Sequence, residues 1–165
     1  MKKVFDGHLI SVYSGKKRLR SGKRSYFEEV KHPGAALVVP FTGGRVIMIR
    51  QLRPVVGGYL WELPAGTLEP GETPYACAKR ETVEETGFTP GRLKKLGVIY
   101  TTPGFCDEKI HIYSAECAGR EIARKDEDEV IREELFTPSR VRKLFSSGKI
   151  VDAKTISALS LAGII

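Results

Sequence analysis

Cysteine is scarce in this chain: Cys77, Cys106 and Cys117 are the only three in 165 residues. Their number is odd and no CxxC pair occurs, which argues against a disulfide framework and against structural zinc, leaving reduced thiols. There is no apolar run of the ~18 residues that a membrane-crossing helix needs. The amino terminus, MKKVFDGHLISV, lacks the sustained apolar core and small-residue cleavage site of a secretion signal. A cytoplasmic protein with no membrane partner is the expectation. Internal repeats, linkers and low-complexity tracts are missing too, which excludes solenoids and strings of domains. Acidic residues are outnumbered, 20 against 27 lysines and arginines, for a net charge of +7 and a pI near 9.4. The cations nevertheless form no single long block. They gather in KKRLRSGKR, Lys16 to Arg24, and around Arg140 to Lys143, so nucleic acid is not the expected partner. The first cluster reads as a solvated hairpin tip, with phosphate contact as its alternative. A basic balance also suits a small, doubly charged diphosphate, whose local concentration a positive field raises.

The chain has the size of one domain, and its 41% hydrophobic content with mean hydropathy −0.20 fits a packed globular core. HLISVY and SYFEEV flank the basic tip, with Ser21-Gly22 as the turn. AALVVPF predicts a buried strand, turned at Thr42-Gly43-Gly44 into an antiparallel neighbour, RVIMIRQLRP. Arg50 and Arg53 end that neighbour, as surface arginines or as forks for phosphate oxygens. Gly58 to Gly66 reads as a connector, with Tyr59 and Trp61 as core or as a stacking surface. LKKLGVIY and KIHIYSAEC predict two further strands, and KDEDE, Lys125 to Glu129, an acidic loop before a short strand at Glu134 to Phe136. Thr137-Pro138 starts a helix ending at Ser147-Gly148, and Asp152 caps a last one that buries Ile156 and Leu159.

The richest stretch is Gly66 to Phe88, GTLEPGETPYACAKRETVEETGF. Thr73 caps a helix, Pro74 suits its first turn and Gly87 its end, so a helix over 74–86 is predicted. Glu81, Glu84 and Glu85 fall at i, i+3 and i+4 on one face. Like charges that close repel, and a hard cation with oxygen preference, Mg²⁺ or Mn²⁺, is the natural compensation; a solvated acidic face is the alternative. Ala76 and Val83 are expected to pack on a sheet from the opposite face, Glu85 to be exposed, and Cys77, one turn before Glu81, either to face oxidants beside the carboxylates or to pack.

Gly66, Glu72 and Arg80-Glu81-Thr82-Val83-Glu84-Glu85-Thr86-Gly87-Phe88 stand at the offsets of Gx5Ex7REUxEExGU, and the chain resembles the Nudix hydrolases. Thr82 departs from the pattern, standing where an aliphatic residue is expected. RQLRP before WELPAG, Pro103 beyond Phe88, the acidic loop and DAKT near the end make it similar to the ADP-ribose pyrophosphatase branch. The resemblance implies an α+β fold, a Nudix-type α/β/α sandwich with a mixed sheet over residues 34–165. An antiparallel extension over residues 1–33 would pair two subunits into a homodimer. It implies hydrolysis of a nucleoside diphosphate linked to a sugar: ADP-ribose to AMP and ribose 5-phosphate, or GDP-mannose or another nucleotide-sugar. An RNA-binding or regulatory module without catalysis is the alternative of another class. Implied metal ligands are Glu81, Glu84, Glu85 and the Ala65 carbonyl, for Mg²⁺ with Mn²⁺ as substitute. Arg80 would orient the carboxylates, Glu72 brace the loop or reach an outer metal, and Glu127, with Glu129 as rival, position or deprotonate the water. Arg53, Glu62, Gly104, Phe105 and Glu108 are the implied substrate-binding residues.

Overall fold

The computed structural model describes residues 1–120 and 131–165. Glu127 and Glu129, with the rest of the acidic loop, lie outside the described residues. The central strand is β4, Ala35–Thr42, whose first six residues are all buried. Unbroken burial over six residues means that both faces of the strand are covered, and its neighbours bear this out. On one edge it runs parallel to β10, Lys109–Arg120, pairing Ala35 with Ile110 through to Phe41 with Glu116. On the other edge it meets β5, Arg45–Arg53, through the turn at Gly43 and Gly44, whose φ of 54° and 72° suit glycine.

Alternate residues of β4 enter two separate cores. Ala35, Leu37 and Val39 pack with Val46, Met48, Ile112, Phe136, Val141 and Leu159, beneath the carboxyl-terminal helices α2, Pro138–Ser146, and α3, Ala153–Leu161. Ala36 and Val38 pack with Ile47, Tyr113, Cys77 and Ala78, beneath the helix over Pro74–Thr86, here α1. The period-2 alternation of one strand thus sets a helix layer on each face of a mixed sheet, the α/β/α sandwich that the resemblance implies. No described helix is long and apolar enough to cross a membrane.

The sheet is completed by two strands within the stretch read as a connector, by a short one after α1, and by the two expected from LKKLGVIY and from the residues before Thr137. Gly58–Glu62 forms β6, antiparallel to β5, and Ala65–Thr67 forms β7, antiparallel to the start of β4. Phe88–Pro90 forms β8 and Lys94–Tyr100 forms β9, both on β10, and Ile131–Phe136 forms β11 on β5. Trp61 of β6 sits edge-on to Phe136, ring centroids 5.0 Å apart, against the core, whereas Tyr59 is exposed beneath Arg50. The core reading therefore holds for one of the two aromatics. At the amino terminus Lys2–Asp6, Ser11–Arg18 and Arg24–Lys31 form a separate three-stranded antiparallel sheet, β1 to β3. Its last strand is tied to the β9–β10 loop, where Val30 N–H donates to Phe105 O at 2.7 Å.

The buried face of α1 corrects the sequence reading. Cys77, Ala78, Thr82, Glu85 and Thr86 are buried, while Ala76 is exposed and Val83 only half-buried. Apolar character misleads here because polar residues with local partners take the inner positions. Thr82 donates its hydroxyl to Ala78 O at 2.7 Å, so threonine at an aliphatic position leaves no orphaned group. Cys77 packs and does not face the oxidant side: burial pushes its thiol up to about 12, which keeps it protonated and inert at neutral pH.

Candidate active site

A cleft of about 710 Å³ opens between the second half of α1, the ends of β5 and β7, the β9–β10 loop and the first turn of α3. Its acidic wall is built on α1. Thr73 accepts the Ala76 N–H and Gly87 takes the left-handed C-cap, so the helix runs over the expected span and sets Glu81 and Glu84 into the cleft. The repulsion expected among the carboxylates is answered from within the chain by Arg80. Its Nη1 donates to Glu81 Oε1 at 2.7 Å and Glu84 Oε2 at 2.9 Å. Its Nε and Nη2 grip the two oxygens of Glu72 at 3.0 Å each. Glu72 also accepts the Glu69 N–H, so it fastens the loop before the helix to the helix itself.

The Arg80 fork holds the Glu72 carboxyl well below its ordinary 4.5, at about 2. The folded-state value lies below the unfolded one, so this pairing stabilises fully above about pH 4.5 and is lost as pH falls toward 2. Glu72→Gln is therefore expected to flatten the decline of stability between those pH values. Urea unfolding of metal-free protein across that window measures it, and wild-type slope in the variant would refute the assignment.

Glu85 departs from its expected exposure. It is 2% exposed, and its Oε2 accepts the Ala65 N–H at 2.8 Å. This bond ties α1 to β7 and brings the Ala65 backbone beside the carboxylates. Gly66 explains its own place in the signature: a Cβ there would stand 1.8 Å from Glu81 Oε1 and 2.0 Å from its Cδ. The obstructed atoms are the end of a flexible side chain, so an added methyl would displace Glu81 more than it would unfold the sheet. Gly66→Ala is expected to lower kcat/KM by about 10²-fold, the scale of a ~1 Å misplacement. Its melting temperature should stay near that of wild type; unaltered kinetics would contradict the account.

The donors fit a hard divalent cation in kind, being carboxylate oxygens, and the missing side chain of Gly66 leaves the room that the Glu81 carboxylate occupies. Among the described residues no three acidic, imidazole or thiol groups are placed to hold one metal ion together; Glu72, Glu81 and Glu84 are gathered on the Arg80 guanidinium instead.

The opposite wall carries Arg53 and Lys154. Glu62, 1% exposed, stands behind them and does not line the cleft. Its Oε1 accepts from Arg53 Nε at 2.8 Å and its Oε2 from Arg53 Nη2 at 2.7 Å. Lys154 Nζ bonds the same Oε2. Burial pushes the Glu62 carboxyl up, and the two cations more than reverse it, leaving it below the ordinary range. Glu108 lines the cleft from the β9–β10 loop and accepts from the Thr101 hydroxyl at 2.9 Å. Gly104 and Phe105 do not join it: they border a second hollow of about 250 Å³ with Lys17 and Phe27. The loop turns between them, because Asp107 is drawn to Lys31 at 2.8 Å and to the His32 N–H at 3.0 Å. Arg50, stacked on Tyr59, is likewise no part of the cleft lining.

The sequence reading missed His32, Asp152 and Lys154 as cleft residues. A signal for the last was there: a lysine in the first turn of a helix opposes the macrodipole and implies a partner elsewhere.

Comparison with known proteins agrees with this geometry. A model of the NUDIX domain matches residues 30–159. The chain is 41% identical over 159 residues to the ADP-ribose pyrophosphatase of Bacillus subtilis (strain 168), covering 94% of this chain and 86% of that protein. It is 34% identical to the methanol dehydrogenase activator of Bacillus methanolicus over the same shares of the two chains. It is also 34% identical to the GDP-mannose pyrophosphatase of Escherichia coli O139:H28, over 70% of this chain and 64% of that one. A crystal structure of an ADP compounds hydrolase superposes with a TM-score of 0.83 at 24% identity, covering 98% of this chain and 88% of that one, a likeness of fold.

Proposed function

The chain belongs to the Nudix family, and we propose that it hydrolyses a nucleoside diphosphate linked to a sugar, ADP-ribose foremost, to AMP and ribose 5-phosphate. The observation that carries this reading is one cleft with the signature carboxylates Glu81 and Glu84 on one wall and Arg53 on the other. Such a cleft can take a diphosphate between a cation-binding side and an anion-binding side. Glu81, Glu84 and Glu85 with the Ala65 carbonyl would hold Mg²⁺, or Mn²⁺ in its place. The ion supplies neutralisation of the diphosphate charge and a lowered pKa for the attacking water.

The chain's own groups do the rest. Arg80 keeps Glu81 and Glu84 aligned and Glu72 braces the preceding loop. Arg53 donates to the diphosphate oxygens, held in place by Glu62. Glu108, already an acceptor for a hydroxyl, accepts from those of the terminal sugar. Glu127, or Glu129, takes a proton from the attacking water; the new P–O bond forms as the bridging P–O bond breaks, and the bridging oxygen leaves with the other phosphate. A cytoplasmic setting suits three unbridged thiols. Purified protein with Mg²⁺ should turn over ADP-ribose faster than GDP-mannose, ADP-glucose or a dinucleotide polyphosphate. A reversed order would move the substrate to the GDP-mannose reading, which the third relative favours.

Residues 1–33 are proposed as a dimerisation element on the domain over 34–165. Their small sheet leaves Val4, Phe5 and Tyr26 exposed, at 54% to 65%. A three-stranded sheet with so little cover of its own gains from a partner surface. Sedimentation at micromolar concentration should give a dimer, and deletion of residues 1–33 a monomer. A monomer in the intact chain would remove the proposal.

A further inference from the structure

Lys154 lies in the first turn of α3, where the exposed N–H groups give the helix its positive end and disfavour a cation. It is held there by carboxylates on two sides. Asp152, the helix cap, lies 3.0 Å from its Nζ while accepting the Thr155 N–H at 3.0 Å. Glu62 is buried at the end of β6 and accepts from Lys154 and Arg53 together. The position is fixed by more than these ion pairs, because Leu63 N–H donates to Thr155 Oγ1 at 2.9 Å and stitches the helix start to the strand exit. A carboxylate so deeply buried needs pairing, but one partner suffices for its charge. Two are present, and they form the face turned to the cleft, with Glu62 behind.

The donor inventory leaves capacity for a ligand. An ammonium has three donors and a guanidinium five; Lys154 uses two, on Glu62 and Asp152, and Arg53 uses two, on Glu62. We propose that Lys154 is a substrate-binding residue, forming with Arg53 a two-cation seat for a diphosphate, preset by the buried Glu62. The ligand class rests on the nucleoside diphosphate reading of this cleft.

Calorimetric titration with inorganic pyrophosphate in the presence of Mg²⁺ tests it on wild type, Lys154→Met and Lys154→Arg. The methionine variant should bind about 10- to 100-fold more weakly, the worth of one hydrogen bond between charged groups. Arginine should restore most of the affinity, and the KM for ADP-ribose should rise with the same pattern while kcat changes little. Wild-type affinity in a Lys154→Met protein of lowered melting temperature would overturn the proposal, because the lysine would then only brace Glu62. Absence of pyrophosphate binding to wild type would overturn it too. Should the methionine variant not fold, reductive methylation of the wild type replaces it: pyrophosphate should slow modification of Lys154 relative to exposed Lys143, and equal slowing of the two would refute the seat. Pyrophosphate binding that depends on Lys154, in a protein that turns over no nucleotide sugar, would support the seat and defeat the proposed reaction.

Discussion

Glu85→Gln is expected to cut turnover with Mg²⁺ by about 10³-fold or more while the protein stays folded. Stabilising developing charge through a divalent ion is worth several kcal/mol, and each 1.36 kcal/mol is about a decade of rate. Glutamine removes the charge and one oxygen from the ligand set. It keeps a carbonyl oxygen of the same reach, so the Ala65 N–H can retain its acceptor at 2.8 Å. The burial of Glu85 makes this test sharper than an exposed position would: an alanine there would orphan the Ala65 N–H and confound chemistry with folding. Stability of the metal-free variant should stay within about 1 kcal/mol of wild type, read by urea unfolding. Undiminished turnover would sink the assignment of the metal ligands.

Glu127→Gln should lower kcat by ~10²–10⁴, the range for loss of a general base, with metal affinity little changed. Carboxylates that bind a cation are not free to take a proton, so the base should come from elsewhere, and Lys125 to Glu129 is the acidic segment next to the β11 side of the sheet in sequence. In an extended segment residues 127 and 129 share a side. Kinetics of Glu127→Gln and Glu129→Gln, measured side by side, separate them. Loss in the second variant alone moves the role to Glu129, and full activity in both places the base outside the loop.

The legible parts of this molecule were those where local chemistry and global fold agree. Thr73, Pro74 and Gly87 delimit α1 because caps depend on neighbouring atoms alone, and the same holds for Thr137 and Asp152 at α2 and α3. The unbroken apolar run in β4 announced a strand covered on both faces. What escaped the sequence depended on distant partners. Glu85 looks like a surface residue until Ala65, twenty positions earlier, donates to it. Glu62 looks like a loop carboxylate until Arg53 and Lys154 close on it from β5 and α3. β7 and β8, three residues each, are too short for periodicity to register. Arg80, read as an orienting residue, is the internal counter-charge that lets the acidic face of α1 exist before any cation arrives.

The central claim is that the α1 carboxylates and the cations across the cleft act together on a nucleoside diphosphate linked to a sugar. Phosphorus NMR of ADP-ribose incubated with the purified protein, in Mg²⁺ and in excess chelator, tests it most directly. AMP and ribose 5-phosphate should appear in equal amounts with Mg²⁺ and not at all with chelator; unchanged ADP-ribose in both, or equal turnover in both, would contradict it.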